Sequence, residues 1–144
     1  MQINSYLTFN GNCREAMTFY QECFGGELTF QTIGDSPLSK KIPTKMKNYI
    51  LHATLKKGKL ILMATDLVDE KPLKKGNTLA LSLNCKSEKQ LKSYFTKLAT
   101  DGTINHNLET TFWGALFGAL TDKFGNHWIL NYNSNNKKQK DEKK

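Results

Sequence analysis

The same order of elements is legible twice in this chain, and that duplication limits the fold more than any single motif does. Residues 3–9 alternate, with Ile3, Ser5, Leu7 and Phe9 on one face and Asn4, Tyr6 and Thr8 on the other, as a strand requires. Asn12 then opens a helix, with Glu15 three residues on completing a capping box. Ala16, Phe19, Tyr20, Cys23 and Phe24 form one apolar stripe that Gly25-Gly26 ends. A strand over 27–33, an exposed loop over 34–47 holding Pro37 and Pro43, and a hairpin of 48–55 with 59–65 around Lys57-Gly58 close the first round. After Asp66 the loop 67–76, with Pro72 and alternating charge, marks a module boundary. The second round has a strand over 78–84, a capping box of Ser87 with Gln90, and a stripe of Leu91, Tyr94, Phe95 and Leu98 before Gly102. Phe19-Tyr20 and Tyr94-Phe95 take equivalent places in the two helices, which argues for an internal duplication.

The second round ends on a short strand near 103–108 and a hairpin within 109–132. Two apolar runs, 112–120 and 127–132, flank Asp122-Lys123-Phe124-Gly125-Asn126. An Asp opening a reverse turn accepts a hydrogen bond from the backbone two residues on, and Gly three residues later supplies positive φ. Trp113 and Trp128 fall in these runs, so the hairpin is expected to wall any cavity the fold makes.

At 144 residues the chain is one domain's worth, expected over 1–134 with modules of about 1–66 and 77–134. The remainder, 135–144, holds five Lys beside Asp141 and Glu142, lacks apolar residues, and is expected to be a disordered tail. No apolar run approaches the roughly 20 residues of a membrane span. Residues 1–10 also lack the pattern of a signal peptide, so a cytoplasmic protein with no membrane partner is expected. Cys13, Cys23 and Cys85 are odd in number and widely spaced, which disfavours a disulfide framework or a thiolate zinc site. The net charge of +8 sits largely in the tail and loops, without the interleaved aromatics of a single-strand binder, so nucleic acid is not the expected partner.

Several motifs within 3–132 together carry a resemblance: Tyr6-Leu7-Thr8-Phe9, Glu15-Ala16 with Phe19-Tyr20, Phe24-Gly25-Gly26-Glu27, His52-Ala53, Leu62-Met63 with Asp66, Phe112-Trp113-Gly114, Phe117-Gly118, and Thr121-Asp122-Lys123-Phe124-Gly125 with Trp128. Their order and spacing resemble the vicinal oxygen chelate superfamily of glyoxalase I, bleomycin-resistance proteins and extradiol dioxygenases, and within it the PhnB-like branch. The resemblance implies an α+β fold: two βαβββ modules forming a curled eight-stranded mixed sheet with helices on its convex face, a concave cavity, and a homodimer. It also implies a divalent metal held by His, Glu or Gln from four strands. The matching positions here are Ser5, Leu62, Thr78 and Ile129, two hydroxyls and two aliphatics, so no metal and no other cofactor is expected. A shift of one residue on the fourth or last strand offers Met63 or Trp128, which ligate such an ion no better.

Other chemistry finds little support. The histidines are His52, His106 and His127, each readable as a surface or core residue. His127 with Asp122 is either an acid/base pair or a neighbour of a turn-holding carboxylate, and Asp66 either caps a strand or lines the cavity rim. Nucleophile elbows and Gly-rich phosphate loops are absent, and no Gly-rich turn supports the methyltransferase label that the PhnB-like branch often carries. What remains is a pocket lined by Ser5, Leu7, Phe9, Leu62, Thr78, Ser82, Trp113 and Trp128, suited to a small apolar or aromatic ligand. The same aromatics could equally fill a core. A metal-dependent lyase, isomerase or dioxygenase is the alternative function, and a basic interaction module working through the tail is a third.

Overall fold

A computed structural model describes residues 1–67 and 71–133, with only the backbone at Leu38 and Ser39. The tail expected over 135–144 lies outside the described residues. Contacts divide the chain into two units, Met1–Lys74 and Lys75–Lys144.

The first unit runs β1 (Ser5–Phe9), α1 (Cys13–Phe24), β2 (Glu27–Thr32), β3 (Ile50–Lys57) and β4 (Leu60–Asp66), with two 3-10 turns between β2 and β3. The second repeats it: β5 (Leu81–Asn84), α2 (Glu88–Leu98), β6 (Thr103–Thr110), β7 (Ala115–Thr121) and β8 (His127–Asn133). Each unit is a four-stranded mixed sheet, ordered β1-β4-β3-β2 and β5-β8-β7-β6. In both, the first strand runs parallel to the last, and the other neighbours are antiparallel. The duplicated βαβββ order and the α+β class are therefore present, as eight strands in two sheets that do not close.

Each helix buries its stripe on one face of its own sheet. Ala16, Phe19, Tyr20, Cys23 and Phe24 of α1 are all buried, joined by Cys13 and Met17. Leu91, Phe95 and Leu98 of α2 are buried likewise, while Tyr94, expected in the same stripe, is only half-buried at its edge. The helix-bearing face of the first sheet is fixed by Asp66, which reaches the start of α1, and by Phe30, whose ring lies 4.9 Å beneath the Arg14 guanidinium of α1. In the second sheet it is fixed by Gly118, where a Cβ would come within 2.8 Å of the Phe95 ring.

The helix starts are built differently. Ser87 Oγ accepts from Gln90 N at 3.0 Å, and Gln90 Oε1 reaches back to Lys86 N at 2.8 Å, so the box before α2 forms with its return bond one residue early. The box expected at Asn12 does not form, because Asn12 makes no side-chain cap bond. Asp66 Oδ1 instead accepts from Gly11 N and Cys13 N, both at 2.9 Å. A carboxylate from the end of β4 thus takes the place of the local cap, and its charge suits the positive end of the helix dipole.

The last hairpin follows its turn chemistry. Asp122 Oδ1 accepts from Phe124 N at 2.9 Å and Asn126 N at 3.0 Å, and Gly125 has φ 87°. The preceding strand is shorter than its apolar run. Thr111 and Ala115 exchange backbone and Oγ1 bonds that close a turn, so Phe112 and Trp113 stand at its tip, 97 % and 53 % exposed. Trp113 is therefore not a strand residue, because a run of apolar side chains does not distinguish a strand from the tip that precedes it.

Candidate functional site

Strand parity decides which residues each sheet shows on its uncovered face. β1 pairs Ser5 with Leu62, Leu7 with Ala64 and Phe9 with Asp66, so all six share the face beneath α1. Phe9 and Leu62 are 3 % and 2 % exposed there. The expected ligand-lining set Ser5, Leu7, Phe9 and Leu62 thus lies on the helix side of the first sheet. Trp128 does too in the second: it pairs with Leu81 and Leu120, is 2 % exposed, and donates from Nε1 to Asp122 Oδ2 at 2.9 Å. Alternation read along one strand fixes which residues share a side, but not which side receives the helix.

The open face of the first sheet carries Tyr6, Met63, Thr65, His52 and Thr54. Tyr6 and His52 lie 5.9 Å apart between ring centroids, and His52 Nε2 meets Thr54 Oγ1 at 3.0 Å. Beside them, Glu27, Thr29, Thr54 and Lys56 line a shallow hollow of about 210 Å³.

In the second sheet the open face carries Ser82, Ile129 and Ala119 across three strands, with Phe117 and His106 next to them. The His106 ring meets the edge of Phe117 at 5.2 Å, its Nδ1 bonds Asn107 O at 2.8 Å, and its Nε2 lies 3.4 Å from Glu109. Of the expected lining residues, Ser82 is here. Thr78 precedes β5 and lines a hollow of about 310 Å³ with Asn77, Leu79, Ala80, Asn105, Thr121 and His127. Thr121 Oγ1 donates to Asn105 Oδ1 at 2.8 Å and meets His127 Nδ1 at 2.9 Å. This Asn105-Thr121-His127 line was not legible in the sequence, because it joins three strands through a bulge.

Both candidate carboxylates are structural. Asp66, 2 % exposed, also accepts from Ile50 N at 2.8 Å, and so ties α1, β3 and β4 together. Asp122, 3 % exposed, holds its turn and the Trp128 indole, while His127 bonds Thr121 instead of forming an acid/base pair with it. The thiols are inert by environment: burial first, then the Asp66 charge, pushes Cys13 up to about 12, and burial pushes Cys85 up to about 11.

The metal positions fare no better in three dimensions. Ser5 and Leu62 face α1, Thr78 precedes its strand, and Ile129 offers no donor. Among the described residues, no three His, Cys, Asp or Glu side chains come together to hold an ion. The residues present do not fit the metal centre of the superfamily's known chemistry. No helix among the described residues is long and apolar enough to cross a membrane.

Known proteins share this architecture. The chain is 33 % identical over 141 residues to Protein YjdN of Escherichia coli, covering 91 % of this chain and 95 % of that one. Protein PA1353 from Pseudomonas aeruginosa superposes with a TM-score of 0.82 at 40 % identity, covering 92 % of this chain and 98 % of that one. The PhnB protein from Bacillus cereus superposes with a TM-score of 0.71 at 26 % identity, over 92 % and 99 % of the two chains. The profile of the Glyoxalase/Bleomycin resistance protein/Dioxygenase superfamily matches residues 2–130. With that match over a twice-repeated βαβββ unit, the chain belongs to this superfamily and is PhnB-like within it.

Proposed function

We propose that the chain binds a small, flat or apolar organic molecule on its open sheet surface without a metal, holding it by sequestration and not by turnover. The observation that carries this reading is the open face of the second sheet, which Ile129, Ala119 and Phe117 share with Ser82. Apolar side chains with a few fixed polar groups are what a small organic ligand requires. Neither aspartate is available for acid/base work, since both are committed to backbone and indole donors. The homodimer implied by the resemblance belongs to the same proposal, and sedimentation equilibrium tests it.

Protein taken directly from cells and electrosprayed under native conditions is expected to retain an organic mass. Ile129→Lys, which keeps the stem against the sheet but brings charge to the face, should lose it. One equivalent of Ni, Zn, Mn or Fe per chain with no organic adduct would overturn the proposal in favour of a metal-dependent lyase, isomerase or dioxygenase.

A further inference from the structure

The hollow before β5 contains a histidine whose protons are dictated by its neighbours. A hydroxyl has one proton to give, and an amide oxygen only accepts. With Asn105 turning Oδ1 to Thr121, the hydroxyl proton goes to that oxygen, and the 2.9 Å contact with His127 Nδ1 then calls for Nδ1–H as the donor. A neutral imidazole carries one N–H, which leaves Nε2 as a lone-pair acceptor. No protein group among the described residues bonds that Nε2.

Two features of the fold set this up. The register of β6 on β7 shifts between Ile104 and His106, so Asn105 is the unpaired residue of a bulge, and a bulge re-aims a side chain. Thr121 and His127 are direct cross-strand partners. On the other side, β5 begins at Leu81 opposite Trp128, so its pairing stops one residue short of His127 and leaves the hollow of about 310 Å³ beside it.

We propose that this hollow takes a ligand carrying a hydrogen-bond donor, such as a phenolic hydroxyl or a ring N–H, which donates to His127 Nε2 while the ring lies against Leu79 and Ala80. This rests on the small-molecule reading above and adds the ligand's polar edge. The bond discriminates because a ligand without the donor leaves Nε2 desolvated and unpaired.

The test is ¹⁵N-detected NMR of the histidine rings at about pH 8, where a typical imidazole is neutral, followed by titration with phenol and with anisole, its methyl ether. The expected spectrum has the proton on Nδ1 of His127. Phenol should shift the Nε2 resonance and bind about three- to tenfold more tightly than anisole, the worth of one hydrogen bond. Thr121→Val, which removes the relay and keeps the strand, should release the tautomer and shrink the preference. An Nε2–H tautomer in the native protein, as would follow if Asn105 turned its NH₂ to Thr121, overturns the inference whatever binds. Equal affinity for the two probes, with shifts at Ile129 and Ala119, overturns it while leaving the small-molecule reading in place. Silence of every open-face resonance with both probes overturns the two together.

Discussion

The two repeats share strand order and helix placement, yet they anchor their corresponding parts by opposite means. In the first, one buried carboxylate at the end of β4 gathers N–H groups from the start of α1 and from β3, across sequence separations of 53 and 16 residues. In the second, the helix start is closed by Ser87 and Gln90 beside it, and the buried carboxylate, Asp122, serves the turn in which it stands. A cap and a turn can be solved locally or borrowed from a distant strand. The borrowed solution makes more of the unit depend on one side chain.

That contrast predicts a ranking. Asp66→Ala should be the most damaging change, costing about 3–5 kcal/mol in urea unfolding, because two buried donors and one part-buried donor lose their acceptor at once. Asp122→Ala should cost less, about 2–4 kcal/mol, since two of its three donors lie in an adjustable turn. If the two cost the same, the difference between borrowed and local anchoring is not energetic. Gly118→Ala would bring a Cβ within 2.7 Å of Leu108 and 2.8 Å of Phe95, and overpacking of that kind costs about 1–3 kcal/mol in thermal unfolding. The corresponding row of the first sheet accommodates the Ala53–Ala64 pair, so Ala53→Gly should show no comparable gain.

The caps give the smaller pair of effects. Ser87→Ala should cost about 1 kcal/mol. Asn12→Ala should stay within about 0.5 kcal/mol, because the Asn12 side chain caps nothing and accepts from the exposed Asn10 N, while its carbonyl bond to Ala16 N survives the change. Equal losses at the two sites would erase the distinction. The thiols should show the least. With Cys13 near 12 and Cys85 near 11, both are protonated at neutral pH and alkylate slowly, Cys85 faster because it is only half-buried. These folded-state values lie above the ordinary thiol value of 9.0, so the fold binds protons that the unfolded chain has released. Stability therefore falls as pH rises above about 9, which alkaline unfolding curves would register.

Much of the fold was readable because its signals are local. The stripe of Ala16, Phe19, Tyr20, Cys23 and Phe24, the Ser87 box, and the Asp122-to-Gly125 turn each rest on residues within a few positions of one another. The site was less readable. Ser5, Leu7 and Phe9 were correctly grouped on one side of β1, but that side lies under α1, and His127 gains its place from Asn105, 22 residues away through a bulge.

By itself the sequence determined the duplicated order of elements, most of the helix stripes and the last turn, since periodicity and short-range hydrogen bonding are written into neighbouring residues. Only tertiary structure decided which face of each sheet a helix covers, which carboxylate caps α1, and that Asn105, Thr121 and His127 meet. Those outcomes depend on strands far apart in the chain meeting in one register, and no local pattern encodes that register.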